Sequence, residues 1–219
     1  MKYSHVLWDF NGTVLDDVDV GIAAINALLS RRNMKTLDSL EEYHANFGFP
    51  IIDYYKKLGF DFEKEPYSDI AIEWVKEYNR LVPKAGLCPG VREAYRAFRR
   101  AGARQLIFSA TEKQMLKGQL ADLGLEGMFD EVLGCDNIEA HGKTALGIEW
   151  VRRVNPQRAI LIGDTQHDAE VASEMGIECI LVARGHQSKK VLEAFSVPVF
   201  DSLPAAAEYI LGKQSNRIL

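Results

Sequence analysis

Asp9 and Asn11 stand two positions apart at the end of an apolar run, in WDFNGTVLDD (8–17), and a second polar pair, Asp164 and Asp168, closes and follows another run, AILIGD (159–164). A carboxylate exposed at a strand end can attack phosphorus, and two carboxylates from separate strands can share Mg2+, a hard cation that prefers oxygen ligands. A third run, RQLIFSA (104–110), ends in Ser109 and Ala110 and is followed by Thr111, while Lys143 opens the helical pattern KTALGIEWVRRV. Lysine and metal together would neutralise the equatorial oxygens of a transferring phosphoryl group, with a hydroxyl and backbone N–H groups holding the remaining oxygen. Each residue alone has a simpler reading: Ser109 and Thr111 as helix caps, Asp164 as a turn residue, Lys143 as a surface lysine. Independent capping does not explain three acids, a hydroxyl and a lysine brought to one edge of one sheet.

The elements that must position them follow from the alternation of short aliphatic runs with helical periodicity, which predicts an α/β fold with a parallel sheet flanked by helices. The predicted strands are 5–10, 104–110, 131–135, 159–164, 178–183 and 197–200, with helical patterns after the second, third and fourth. Gly102, Gly124 and Gly176 fall where helices should stop. More than ninety residues separate the first two strands, far more than a crossover requires, and 17–83 reads as helices, with apolar positions at Val18, Ile22, Ile25, Leu28 and Leu29. A helical bundle inserted after the first strand, with Pro83 to Pro89 as its return hinge, is the expectation. In an open parallel sheet the ligand crevice lies beyond the carboxyl ends of the strands, where the polar residues above fall.

Composition sets the frame. The chain has 219 residues, 47% hydrophobic and 26% charged, with a formal net charge of −5. That balance argues against nucleic acid as a partner, which needs a concentrated basic face. No apolar stretch is long enough for a membrane span, and the N-terminus runs straight into a core strand, so a cytoplasmic protein with no membrane partner is expected. Three widely spaced cysteines (Cys88, Cys135, Cys179) suit packed thiols better than disulfides or zinc. His5, His44, His141, His167 and His186 show no metal spacing, and Phe47, Phe49, Tyr54 and Tyr55 read as bundle core or as the lining of a substrate pocket.

With these motifs in place, the sequence resembles the haloacid dehalogenase-like hydrolases, in the phosphoglycolate-phosphatase-like branch with an inserted helical cap. The strand-end DxDGT motif corresponds to Asp9-Phe10-Asn11-Gly12-Thr13, the second motif to Ser109, the third to Lys143, and GDxxxD to Gly163 through Asp168. The resemblance implies a Rossmann-like core over 1–16 and 84–219 and a cap over 17–83. It implies Asp9 as nucleophile and, with Asp164 and the backbone carbonyl of Asn11, as Mg2+ ligand. It further implies that Gly12, Thr13, Ser109, Ala110 and Lys143 hold the phosphoryl group beside Asp9, and that Asp168 orients Lys143 or a metal-bound water. The implied activity is Mg2+-dependent hydrolysis of a small phosphorylated metabolite through an aspartyl phosphate, by a monomer or homodimer.

Asn11 departs from the pattern. The acid usual there protonates the leaving group and then activates water, and its loss typically removes about 10²–10⁴ in rate. A phosphatase in which another group supplies the proton, a phosphate-binding or regulatory protein of negligible turnover, and phosphonoacetaldehyde-hydrolase-like carbon–phosphorus cleavage through a buried Lys56 or Lys57 are the readings this leaves open. If the missing acid alone is limiting, Asn11→Asp should raise turnover of alkyl phosphates.

Overall fold

The structure, a computed structural model, describes residues 1–135 and 142–212. A first strand, β1 (His5–Trp8), leads within a few residues into a two-residue strand, β2 (Leu15–Asp16), which pairs antiparallel with β3 (Gly86–Leu87). Between these two short strands lie four helices, α1 (Val18–Arg31), α2 (Leu40–Asn46), α3 (Ile51–Lys57) and α4 (Tyr67–Leu81). The apolar stripe of α1 buries Ile25, Leu28 and Leu29 against Tyr43, Tyr54, Tyr55, Phe60 and Ile70, a core separate from those of the sheet. The β2–β3 ribbon was not foreseen, because two residues are too few to show a period.

The chain then forms β4 (Arg104–Glu112), β5 (Glu131–Cys135), β6 (Ala159–Gly163), β7 (Glu178–Val182) and β8 (Val199–Phe200), and the sheet runs β5-β4-β1-β6-β7-β8 with every pair parallel. Alternate residues of each strand feed opposite faces, as the pleat requires. Val6, Trp8, Ile160, Ile162, Ile180 and Val182 pack with Phe98, Leu116 and Ile210 of the helices α5 (Val91–Arg100), α6 (Lys113–Asp122) and α10 (Leu203–Leu211). Leu7, Leu106, Phe108, Leu161 and Leu181 turn the other way, onto Trp150 of α7 (Lys143–Val154) and Val171 and Met175 of α8 (Gln166–Met175); the short α9 (Lys189–Leu192) closes that layer. Each such fully buried side chain is worth about 1.5–3 kcal/mol relative to exposure, so the two faces hold the central strands rigidly.

β1 stops at Trp8 because the chain turns at once, with Gly12 at a φ of +70°. β4 runs two residues past its expected end and shifts register between Phe108 and Glu112, which lifts Ser109, Ala110 and Thr111 out of the regular ladder. Glu112, not Ser109 or Thr111, caps α6, accepting hydrogen bonds from the N–H groups of Gln114 and Met115. The helix-cap reading of those two hydroxyls is thereby removed. Cys88, Cys135 and Cys179 are all buried and none forms a disulfide. Among the described residues no helix is long and apolar enough to cross a membrane.

Candidate active site

The strand order reverses direction beside β1: the chain moves outward through β4 to β5, then returns to β6 on the other flank. Crevices at such switch points are where open α/β sheets bind ligands. Asp9 leaves the end of β1 with its N–H bonded to the Ile162 carbonyl of β6, so Asp9 and Asp164 emerge side by side. Ligand oxygens of Asp9, Asp164 and Asp168 lie within 4.8 Å of one another. None of the three is more than 8% exposed, so little water screens their charges from one another.

Asp164 sits between two glycines. A Cβ on Gly12 would come within 2.2 Å of its Oδ2, and one on Gly185 within 2.0 Å, so both backbones approach where no side chain could. Its Oδ2 accepts from the His186 N–H (2.7 Å) and its Oδ1 from the Thr13 hydroxyl (3.1 Å). Thr13 therefore has its hydroxyl committed to Asp164 rather than turned to a phosphate, which narrows the phosphate-binding part expected of it. Burial pushes the Asp164 carboxyl up to about 7, with the His186 charge pulling it down and Asp168 pushing it further up. Asp9 is held well above the usual carboxylate range by burial and the charge of Asp168, with Lys143 opposing. Two buried carboxyls that resist ionisation for want of positive charge are the donor set a hard divalent cation would complete, and a cation fits between Asp9 and Asp164 on that ground.

Lys143, the first residue of α7, is 3% exposed and bridges the acids: its Nζ lies 2.5 Å from Asp9 Oδ1 and 2.7 Å from Asp168 Oδ1. Burial alone would lower its pKa, but the charges of Asp168 and Asp9 outweigh that and hold it protonated. Asp168 has burial against it and Lys143 in its favour, and the balance keeps it below the usual range. Its other oxygen accepts from the Thr165 hydroxyl (2.8 Å) and N–H (3.1 Å) in the capping box that starts α8. Asp168 is thus fixed onto Lys143, and Lys143 onto Asp9.

The opposite flank of Asp9 is built differently. Asn11 Nδ2 donates to Asp17 Oδ2 and to the Tyr78 hydroxyl, both at 2.8 Å, while its Oδ1 accepts from the Thr111 hydroxyl at 2.9 Å. Thr111 in turn accepts from Ser109 Oγ (3.0 Å) and donates its N–H back to that oxygen (3.1 Å), so Ser109 and Asn11 belong to one chain of hydrogen bonds. Asp17 occupies the N-cap position of α1 yet caps nothing there: its side chain turns inward, taking the Gly12 N–H (2.8 Å) and the Tyr78 hydroxyl (2.6 Å), with His186 Nε2 at 3.3 Å. Burial raises the Asp17 carboxyl, but the His186 charge and the hydrogen bonds from His186, Tyr78 and Asn11 leave it below its ordinary value. Desolvation would lower His186, but the charge and hydrogen bond of Asp17 and the charges of Asp164 and Asp9 together outweigh it and lift the ring to about 9. The Tyr43 hydroxyl lies 2.8 Å from the remaining ring nitrogen of His186. Asp17, Tyr43 and Tyr78 were not singled out in the sequence, His186 was named only among histidines without metal spacing, and Thr111 was seen only as a polar strand end.

The inserted helices close over this crevice through aromatic residues. Phe47 packs 5.4 Å from the His186 ring and Phe49 stacks on His167 at 4.9 Å and 23°, so these two phenylalanines reach the sheet edge. Tyr54 and Tyr55 are core of the insertion instead. His44 Nε2 lies 3.0 Å from the Gly185 carbonyl, and His5 is remote, beside Trp150; His141 lies outside the described residues. Lys56 and Lys57 are exposed, with Lys56 paired to Asp53 at 3.0 Å. The burial that an imine-forming lysine requires is missing at both, which removes the basis of the carbon–phosphorus reading.

Comparison with known proteins places this geometry. A family model described as haloacid dehalogenase-like hydrolase matches residues 6–182. The chain is similar to the phosphoglycolate phosphatase of Rhodobacter capsulatus, 24% identical over 209 residues that span 93% of this chain and 91% of that one. The phosphoglycolate phosphatase of Pseudomonas putida is 21% identical over 211 residues, 91% of this chain and 77% of its own. Among solved structures, a haloacid dehalogenase-like hydrolase from Streptococcus pneumoniae superposes with a TM-score of 0.80 at 17% identity, covering 95% of this chain and 98% of its own.

Proposed function

This chain belongs to the haloacid dehalogenase-like hydrolase family, and we propose that it is a phosphatase that moves the phosphoryl group of a small phosphorylated metabolite first to Asp9 and then to water. The observation that carries the reading is the Lys143 bridge: a buried cation locked by Asp168 onto the one carboxylate that ends the central strand at the switch point. Asp9 attacks phosphorus with the oxygen that Lys143 does not hold, and Lys143 offsets charge on the attacking carboxylate and on the incoming phosphate. The Ser109 hydroxyl, turned from Thr111, and the Ala110 and Thr13 N–H groups receive the phosphoryl oxygens, while the Gly12 N–H stays with Asp17. Asp9, Asp164 and the Asn11 carbonyl would hold Mg2+, which when bound supplies the positive charge that the two raised carboxyls call for. The residues over 17–83 act as a cap that excludes water, with Phe47 and Phe49 meeting the substrate. Phosphoglycolate, the substrate in the names of the relatives above, is the alkyl ester to try.

A second reading, a phosphate-binding protein of negligible turnover, is favoured by one observation, the amide at position 11. The two are separated by release of inorganic phosphate from 4-nitrophenyl phosphate. Turnover that requires Mg2+, stops with chelator and is lost in Asp9→Asn is expected; phosphate release that survives Asp9→Asn would refute the assignment of Asp9.

A further inference from the structure

Asn11 is not an acid with its proton merely removed; its surroundings are built for an amide. A carboxylate can only accept hydrogen bonds, so the group that Asn11 turns to Asp17 must be its NH2. The Tyr78 hydroxyl spends its single proton on Asp17 Oδ2 and offers Asn11 only a lone pair. The two partners on that side, Asp17 and Tyr78, are thus acceptors toward position 11, and Thr111 on the other side is a donor. The pattern matches an amide at each atom. An aspartate at 11 would set a carboxylate oxygen about where Nδ2 now lies, 2.8 Å from Asp17 Oδ2 in a buried pocket. It could stay only with a proton trapped between the two acids, directed away from any leaving group. Asp17 itself is no substitute acid, since Asn11, Tyr78 and the Gly12 N–H donate to its two oxygens and His186 Nε2 stands beside one of them.

We propose that Asp17 is a positioning residue that holds position 11 as an amide, and that the site is thereby specialised for phosphorylated compounds whose leaving oxygen departs without a proton: acyl, enol and aryl phosphates. This rests on the reading of Asp9 as nucleophile. The bond from Asp9 Oδ to phosphorus forms as the bond from phosphorus to the leaving oxygen breaks, and the electron pair leaves with a carboxylate, enolate or phenolate. Water then attacks the same phosphorus, the aspartyl oxygen regains its pair, and both protons of that water depart on inorganic phosphate. An alkoxide cannot leave comparably without protonation, and the Asn11 NH2 is committed to Asp17 and Tyr78.

The test uses the full chain with Mg2+ and a series of acetyl phosphate, phosphoenolpyruvate, 4-nitrophenyl phosphate, phosphoglycolate and glycerol phosphate. It compares the unmodified protein, Asn11→Asp, Asp17→Asn and the exchange N11D/D17N. Plotted against the pKa of the leaving group, kcat/KM of the unmodified protein should fall steeply, with alkyl esters about 10²–10⁴-fold slower. The exchange, which restores an amide–carboxylate pair in the opposite sense, should flatten the slope and raise alkyl turnover about 10²-fold or more. Asn11→Asp alone should give no such gain and should melt earlier. A flat slope in the unmodified protein overturns the proposal, as does an Asn11→Asp single variant that matches the exchange. Should the exchange fail to fold, the slope in the unmodified protein decides alone. Turnover of none of the five compounds would instead defeat the phosphatase reading beneath it.

Discussion

The two flanks of Asp9 solve the same problem, holding charge in a pocket that excludes water, by different means. On the Lys143 side one cation stands between two carboxylates, and every member is a residue the family motifs name. On the Asn11 side a carboxylate from the start of the inserted helices meets one cation, His186 of the loop after β7, together with uncharged donors from the turn and from α4. The first flank belongs to the sheet and its own helices α7 and α8; the second exists only when the insertion is docked, because Tyr78 and Tyr43 come from it. The difference teaches where this chain carries its general phosphatase chemistry and where it has been altered.

Breaking the first flank should have the largest effect. Lys143→Met leaves Asp9 and Asp168 buried without their shared cation, and a broken buried pair typically costs about 3–5 kcal/mol. Urea unfolding should register that loss, and turnover should fall with it. On the second flank, Tyr78→Phe removes one donor from Asp17 and one acceptor from Asn11 without exposing a bare charge, so about 1–3 kcal/mol is expected in the same unfolding assay. If the two variants were equally destabilised, the contrast between a flank that hangs on a single shared cation and one that spreads its carboxylate over several donors would be wrong. Phe49→Ala cuts the stacking on His167 that joins the insertion to α8, an interaction worth about 0.5–1.5 kcal/mol. A rise in KM of about two- to tenfold with kcat retained is expected from steady-state kinetics. A drop in kcat alone would mean that Phe49 positions the chemistry rather than the cap.

The smallest effect should come from Asp130, at the far end of the sheet, and it serves as the reference for both flanks. Burial raises its carboxyl, but the hydrogen bonds from Arg99 and from the Gln105 N–H hold it below the usual value of 3.8. A depressed carboxyl contributes stability above its unfolded pKa, and that contribution disappears as pH falls through the lower folded value. Asp130→Asn should therefore cost about 1 kcal/mol or less at neutral pH, nothing in strong acid, and no activity at any pH. Thermal melts at a series of pH values check this.

The first flank was legible in the sequence because each of its residues follows a strand or opens a helix, and a parallel sheet delivers such positions to one edge. Asp9, Asp164, Asp168 and Lys143 all reach that edge. The second flank was not legible, for local reasons. Asp17 directly before an amphipathic run reads as an ordinary helix cap. Tyr78 reads as another apolar position on α4, and His186 lies in a loop where no period operates. The β2–β3 ribbon that brackets the inserted helices, directly before Asp17, is two residues long on each side. Asn11 itself was conspicuous, yet the reason an acid is missing there lies in residues 6, 67 and 100 positions away, linked to it only by the fold.

The most direct measurement is an acid-quenched single turnover of acetyl phosphate with Mg2+, followed by peptide mapping. The account predicts a transient phosphoryl group on the peptide that contains Asp9, formed within the dead time of acetate release and absent in Asp9→Asn. Release of acetate and phosphate in step, with that peptide unmodified at every time point, would contradict it.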